Sequence, residues 1–572
     1  MTRVVAAALA ACSLMVALPG GTGSVLGQAR YLWVNTTEDR PLEVSQCLPG
    51  QPCTFRKAVE LAEGFQRVVT ACFEPGVVPG ARPCPGGVLP LTRQDPNYDA
   101  ASGRWTLEVR SGTVPFVLFK GGTTIDFSHG VESWASPLDN RVVLDADLNR
   151  DTSANPRTDI ILVEGSDNVI RGLEVRGSFQ VAAIIVRGRA ANNQFGPGLA
   201  LAGMPQGVGI SFENRETVGN KVVGIWCGLG GDGQLDPLSD DCIRFHAGAS
   251  ASVVGGTEPE ERNVLVGSDP GVGVSIEGRT TRDITVQGNY IGVGVDGMTP
   301  LGNQAGIRVV DGASNVRIVG NVIAGNRNNG IAVFGESQGT HIEGNRIGLG
   351  VAGTGCVGNS GVGISLQGGV SGGLIAGNVV HCNREGGIVL RDSLVQAVRI
   401  TGNSVSRNQG KAILVASGAN LGVQPPSLLP QSEGVVRGRT CPGCTVELFS
   451  DALGEAEVFE GSVTGHAGDG TFAFEKDRFA FRALAATSTD DGNTSALSEA
   501  VYLPRDPRPT ATEFGYQTPT PRPTGTPEPT EPGQPPRPTS TEAPPGVFRF
   551  AYLPWTHRGP TRPVRPGRVA GF

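Results

Sequence analysis

The residues that could do chemistry are few and far apart. Asp145, Asp147, Asn149 and Asp151 stand at alternate positions in VVLDADLNRDTS. Four oxygen donors at that spacing suit a hard cation such as calcium. The loop departs from a helix-loop-helix calcium site, because Arg150 replaces the turn glycine and Pro156 replaces the bidentate Glu. In an extended strand the same four residues simply make a solvated face, so both readings stand. Cys441 and Cys444 in CPGC have the spacing of a redox dithiol. They fall in the turn of a predicted hairpin without βαβ context, which points to a turn-closing disulfide. The six histidines (His129, His246, His341, His381, His466, His557) are scattered, and Asp283, Asp296 and Asp311 are single acids. No nucleophile elbow or phosphate loop is present.

The elements that must position these residues are repetitive. GNYIG begins at Gly288, GNVIAGN at Gly320, GNRIGLG at Gly344, GNVVHCN at Gly377 and GNSVSRN at Gly402. A second phrase follows each: AGIRV, NGIAV, VGISL, GGIVL and KAILV. Their isoleucines, Ile307, Ile331, Ile364, Ile388 and Ile413, are 24, 33, 24 and 25 residues apart. Alternating apolar and polar residues read as short half-buried strands, and Gly or Asn between them allows left-handed corners. Three strands and three corners in about two dozen residues make one coil of a parallel β-helix, whose apolar side chains stack on those of the next coil. The Asn after each Gly is expected to stack likewise. The 33-residue coils carry extra residues, and Ile210 to Ile243 and Val274 to Ile307 repeat that spacing. Such inserts map to loops on one side of a solenoid.

The phrase NYIG…DG…LGN…GI resembles the right-handed β-helix repeats of secreted bacterial proteins in the pectin-lyase-like superfamily, and NVIRGLEVRG at Asn168 is similar to their opening coil. CTFRKAVELAE at Cys53 resembles the CSLREAI motif of many such proteins: Cys53, Arg56 and Ala58 match, while Phe55, Lys57 and Val59 differ. That segment also reads as a short amphipathic helix capped by Thr54, with Phe55, Ala58, Val59, Ala62 and Phe65 on one face. It would cap the open end of the solenoid. The resemblance implies the fold; lyases, hydrolases, adhesins and non-catalytic proteins all share it. SDD at Ser239–Asp241 is similar to the paired aspartates of polygalacturonases, but the other carboxylate and the Gly-His-Gly phrase of that family are absent.

The 572 residues include 84 Gly and only 6% aromatics, as expected of a repeat protein. A net charge of −7 argues against a nucleic-acid partner. Residues 1–29 read as an export signal, with Arg3 before the apolar Val4–Leu18 run and a cleavage point after Ala29. LAAC at Leu9–Cys12 offers a competing lipoprotein box. No later segment is long and apolar enough to span a bilayer. Export permits disulfides. Ten cysteines remain, in neighbouring pairs: Cys47 and Cys53, Cys72 and Cys84, Cys227 and Cys242, Cys356 and Cys382, Cys441 and Cys444. Zinc is the alternative, though the spacings match no finger.

The expected organisation is an all-β chain. Residues 30–104 form an N-terminal cap and irregular segment, 105–422 a right-handed parallel β-helix, and 423–503 a small antiparallel sandwich. ATSTDDGNTSALSEAVYL at Ala486 is similar to the closing strands of bacterial Ig-like domains. Residues 504–546 form a Pro/Thr-rich linker, and 547–572 a tail for surface attachment or plain disorder. The missing carboxylate-plus-base constellation favours a non-catalytic cell-surface protein that binds a polysaccharide or envelope glycan. A polysaccharide lyase or glycoside hydrolase is the alternative. The long-coil inserts place Asp232, Asp236, Asp240, Asp241 and Asp296 as ligand-binding candidates along one edge.

Overall fold

The computed structural model describes residues 31–38, 47, 50–78, 84–109, 115–128, 140–146, 159–353, 355–432 and 434–503. The export signal, Asp147, Asn149, Asp151, the Pro/Thr-rich segment and the tail lie outside the described residues.

Three long sheets share the main body. Sheet 1 has 12 strands, from Tyr31–Val34 to Arg399–Thr401. Sheet 2 also has 12, ending at Ser404–Ser406, and sheet 3 has 11, ending at Ile413–Val415. The chain visits sheets 1, 2 and 3 in turn, so each circuit is one coil. Pairing between coils is parallel throughout, apart from the opening pair of sheet 2, Tyr98–Asp99 against Arg104–Glu108, which is antiparallel. Parallel pairing reaches back to Tyr31, well before the GN phrases begin; the early strands carry no repeated wording, so the sequence does not mark them as coils.

Strand alternation fixes the interior. Ile307, Ile331, Ile364, Ile388 and Ile413 are direct register partners in sheet 3 and all are buried, as their spacing predicts. A glycine precedes the first four of these isoleucines, where the neighbouring coil approaches closely, and Ala412 precedes Ile413. A Cβ on Gly306 would lie 2.4 Å from the Gly330 carbonyl oxygen and 2.5 Å from a methyl of Ile323.

The asparagines do more than the sequence predicts. Between sheets 1 and 2, Asn263, Asn289, Asn321, Asn345, Asn378 and Asn403 form a ladder in which each side-chain amide donates to the next side-chain oxygen at 2.9–3.0 Å. A second ladder, Asn303, Asn326, Asn359, Asn383 and Asn408, runs between sheets 2 and 3. A third joins Asn168, Asn193 and Asn220 at the remaining corner. These amides are buried, so each bond offsets a desolvation cost that water cannot relieve.

Both ends of the solenoid are closed. The helix Phe55–Ala62 takes its N-cap from Thr54, whose hydroxyl accepts from the Lys57 N–H at 3.2 Å. Phe55, Ala58, Val59 and Ala62 are buried, and the Phe55 ring meets Phe116 at 4.6 Å. Phe65, expected on the same face, is 64% exposed because the helix ends at Ala62. At the other end, residues 427–503 form two small antiparallel sheets with a shared core that includes Val436, Leu448, Phe472 and Leu484. From this unit Phe449 and Ala456 pack into the solenoid core, Glu447 accepts from the Gly402 N–H at 2.9 Å, and Ala456 bridges Val405.

All five neighbouring cysteine pairs are disulfides. Cys227–Cys242 is buried and closes the base of an insert, whereas Cys356–Cys382 ties an insert to the following coil. Among the described residues no helix is long and apolar enough to cross a membrane.

Candidate functional site

The outer face of sheet 3 carries a polar network that follows directly from strand alternation. In Val208–Glu213, Ile243–His246, Val272–Glu277 and Ala305–Val310, the core takes Ile210, Phe212, Ile243, Phe245, Val274, Ile276, Ile307 and Val309. The intervening residues face outward. Ser211, Arg244, Ser275 and Arg308 then stand in one register column across four coils. Glu213 stands opposite His246 in the next column, and Glu277 opposite Val310.

Asp241, in the turn before Ile243, anchors this network. It is 1% exposed. One carboxylate oxygen accepts from the Val272 N–H at 2.9 Å, and the other from Arg244 Nε at 2.8 Å. Arg308 reaches the same oxygen at 3.4 Å, and also donates to Ser275 Oγ at 3.1 Å and Glu277 Oε1 at 2.9 Å. Ser275 donates to Glu277 at 2.6 Å. Asp240 pairs with Arg244 from the other side. One coil earlier, Ser211 Oγ lies 3.1 Å from His246 Nε2 and donates to Glu213 at 3.2 Å.

The charges respond to these contacts. Burial pushes the Asp241 carboxyl up, against the pull of Arg244 and Arg308. The hydrogen bond from His246 holds Glu213 below the usual carboxylate range, outweighing its burial. For Glu277, burial is outweighed by the Ser275 hydrogen bond and the two guanidiniums, so its carboxyl is also lowered. The result is a rigid array of hydrogen-bonding groups, partly open to solvent, with carboxylates already engaged by cations or hydroxyls.

The inserts are short hairpins, closed by the antiparallel bridges Leu229–Leu235, Val293–Pro300 and Leu349–Cys356. They spring from every second coil at the corner between sheets 2 and 3. Their apolar residues Leu229, Val293, Leu301 and Val357 pack on Trp226, Val264, Tyr290 and Val322, so they roof the outer face of sheet 2. The Val351 N–H of one hairpin donates to the Gly297 carbonyl of another at 3.0 Å.

The five candidate aspartates are therefore divided. Asp240 and Asp241 belong to the sheet 3 network. Asp232 and Asp296 close turns of their own hairpins, accepting from the N–H groups of Gln234 and of Met298 and Thr299 respectively. Asp236 pairs with Arg176, which also approaches Glu174 at 3.5 Å. Of the calcium set, Asp145 stands opposite Arg176 in the sheet 2 register. Among the described residues, one group of Cys, His and acidic side chains clusters closely enough for a metal. It is Cys441, Cys444 and Asp490, and both sulfurs there are joined in the disulfide.

A family model described as a right handed beta helix region matches residues 348–425. The solenoid is a right-handed parallel β-helix. No curated protein matches the sequence. Three solved structures illustrate the likeness to this β-helix. The mannuronan C-5 epimerase AlgE6 A-module of Azotobacter vinelandii is 14% identical over 63% of this chain and 81% of its own, with a TM-score of 0.32. The periplasmic alginate epimerase AlgG is 12% identical over 53% and 75%, at 0.31. The Dettilon tailspike protein is 14% identical over 77% and 82%, at 0.34. Overlaps at this level say nothing about a shared reaction.

Proposed function

We propose that this protein is an exported β-helix that binds a polysaccharide along the outer face of sheet 3 without cutting it. The supporting observation is the network spanning four coils, in which the buried Ser211 and Ser275 hold Glu213, Arg244, His246, Glu277 and Arg308, all of which reach solvent. Strand spacing in a sheet is about 4.8 Å, so these donors and acceptors form a ladder along the axis. A ladder suits an extended polymer with hydroxyls at regular intervals. Because the carboxylates are engaged by Arg, Ser or His, they act as fixed acceptors; hydrolysis would call for a carboxylic acid and a base held free for proton transfer. The five disulfides fit an oxidising compartment.

The test is affinity electrophoresis of the purified chain in gels cast with neutral polysaccharides, with product size followed in parallel. Arg308→Gln should reduce retardation about tenfold, as loss of a charge-assisted contact would. Equal retardation would show that another face binds. Shortening of the polymer would replace binding by catalysis, with His246 and Glu213 as the first residues to test. Retention at the cell surface by residues 504–572 belongs to the same proposal: truncation after Leu503 should release the protein to the medium, and unchanged fractionation would remove that role.

A further inference from the structure

A groove on a different side of the molecule has an unbalanced charge. It lies over the corner between sheets 1 and 2 and encloses about 460 Å3. Its floor is backbone: Gly288, Gly320 and Gly344, with φ of +69°, +64° and +63°. The left-handed corner favours glycine at each, and this leaves a channel without side chains. A Cβ on Gly320 or Gly344 would meet nothing within 4 Å. Gln287 and Val319 stand on one side; Tyr290, Val322 and Val351 stand on the other.

Two guanidiniums mark this groove. Arg262 lies over the Tyr290 ring at 4.4 Å, with its Nε donating to the Gly288 carbonyl at 3.3 Å. Arg346 donates to the Val351 carbonyl. Neither has a carboxylate partner among the described residues, and no residue lining the groove is acidic. Arg104, Arg176, Arg244 and Arg308, by contrast, are all paired. Tyr290 is 8% exposed, and its hydroxyl has no hydrogen-bond partner among the described residues and keeps contact with solvent.

We propose that this groove binds an acidic oligosaccharide, with uronate carboxylates taken by Arg262 and Arg346 and a hydroxyl taken by Tyr290. Guanidinium groups recognise carboxylates through paired N–H donors. The Arg262 guanidinium reaches the coil of Gly288 and Tyr290, two coils from Arg346, about 10 Å at the usual strand spacing, so the two arginines face neighbouring sugars of one chain. The floor between them is uncharged, and the walls mix amide, ring and aliphatic surface. Such a lining matches sugar rings, with their hydroxyls and C–H faces, better than a polyphosphate, which would need positive charge along its whole length.

This groove does not depend on the sheet 3 site, and the two can fail separately. The experiment is isothermal titration of the whole chain with hexamers of galacturonate and glucuronate, their methyl esters, and inorganic tripolyphosphate. The acidic hexamers should bind, and their neutral esters at least tenfold more weakly. Arg262→Gln and Arg346→Gln should each weaken binding about tenfold. Gly320→Asn should abolish it, because Asn tolerates the left-handed corner and places a side chain in the channel. Unchanged thermal unfolding would show that these variants fold, and their unchanged retardation by neutral polysaccharides would leave sheet 3 intact. Binding of neither acidic hexamer, equal binding of the esters, variants that bind like the parent, or tighter binding of tripolyphosphate would each overturn the proposal.

Discussion

Asp241 holds its position by satisfying others. Its carboxylate joins a buried N–H of the next coil to Arg244 and, two coils on, to Arg308. Asp241→Ala should therefore cost roughly 3 kcal/mol, the low end for breaking a buried ion pair, since Arg244 still reaches water. Urea unfolding followed by circular dichroism would measure it; a loss below ~1 kcal/mol would show the anchor is dispensable. Glu213 makes a pH-dependent contribution. Its folded carboxyl is lowered by His246, so its stabilisation is complete above the ordinary Glu value and is lost as pH falls through the lowered one. Glu213→Gln should cost about 1 kcal/mol at pH 7. That difference should shrink in unfolding curves taken at successively lower pH, and a gap that stays constant would remove the carboxylate as its source. Much of this site was hidden in the sequence. Arg244 and His246 look unrelated to Arg308 when read along the chain, because 31 to 33 residues separate register partners. The available signal was parity: polar residues at the outward positions flanking the stacked isoleucines in consecutive coils. Asp232 and Asp296 stood out as acids, yet a turn aspartate with Gly nearby is as readily a backbone acceptor.

At the scale of strands and hairpins the sequence was more explicit. The isoleucine spacing alone identified the buried column of sheet 3, since a strand that slipped by one residue would turn every isoleucine to solvent. The GN phrases identified one asparagine ladder. The second ladder is written less regularly, as LGN, AGN, VGN, HCN and SRN, and the third has no common phrase. The inserts were located correctly along the chain, but their destination depends on Trp226, Val264 and Tyr290, which face outward from sheet 2 and need cover. Replacing Gly292–Gly302 by the short turn of a 24-residue coil should thus uncover apolar surface. Exposing about 100 Å2 would cost roughly 2–3 kcal/mol. The same graft separates two surfaces. If the sheet 3 network holds a neutral polymer, retardation persists in the graft; if the hairpins hold it, retardation disappears.

For the whole molecule, closure of the ends matters most. A stack of coils ends in unpaired strand edges and open core, which attract other chains. The helix at Phe55–Ala62 was legible from its Thr54 cap and apolar face. The second closure was not, because Phe449, Ala456 and Glu447 meet the last coil only after residues 427–503 have folded as a unit. Ending the chain at Gly422 should leave Ile400, Val405 and Ile413 uncovered. The shortened protein is expected to elute as large aggregates in size-exclusion chromatography, and a stable monomer would show that the last coil closes itself.

The alternation of plain and hairpin-bearing coils has a consequence for how this chain came to its length. Val274, Ile331 and Ile388 are spaced by 57 residues, twice in succession, and each interval contains one coil of either kind. The heritable unit is then a pair of coils, since duplicating a single coil would put two hairpins, or two bare coils, side by side. Excising residues 275–331 in one piece should join Val274 to Ala332 in register, rejoin Asn263 to Asn345, and give a shorter protein with a cooperative melt. Excising 308–331 alone would bring the hairpins at Gly292 and Gly348 onto adjacent coils, where both need the same space, and should give little soluble product. Under the proposed polysaccharide binding, copy number in steps of two would make reach along the polymer adjustable by recombination, with no new side chain having to be invented.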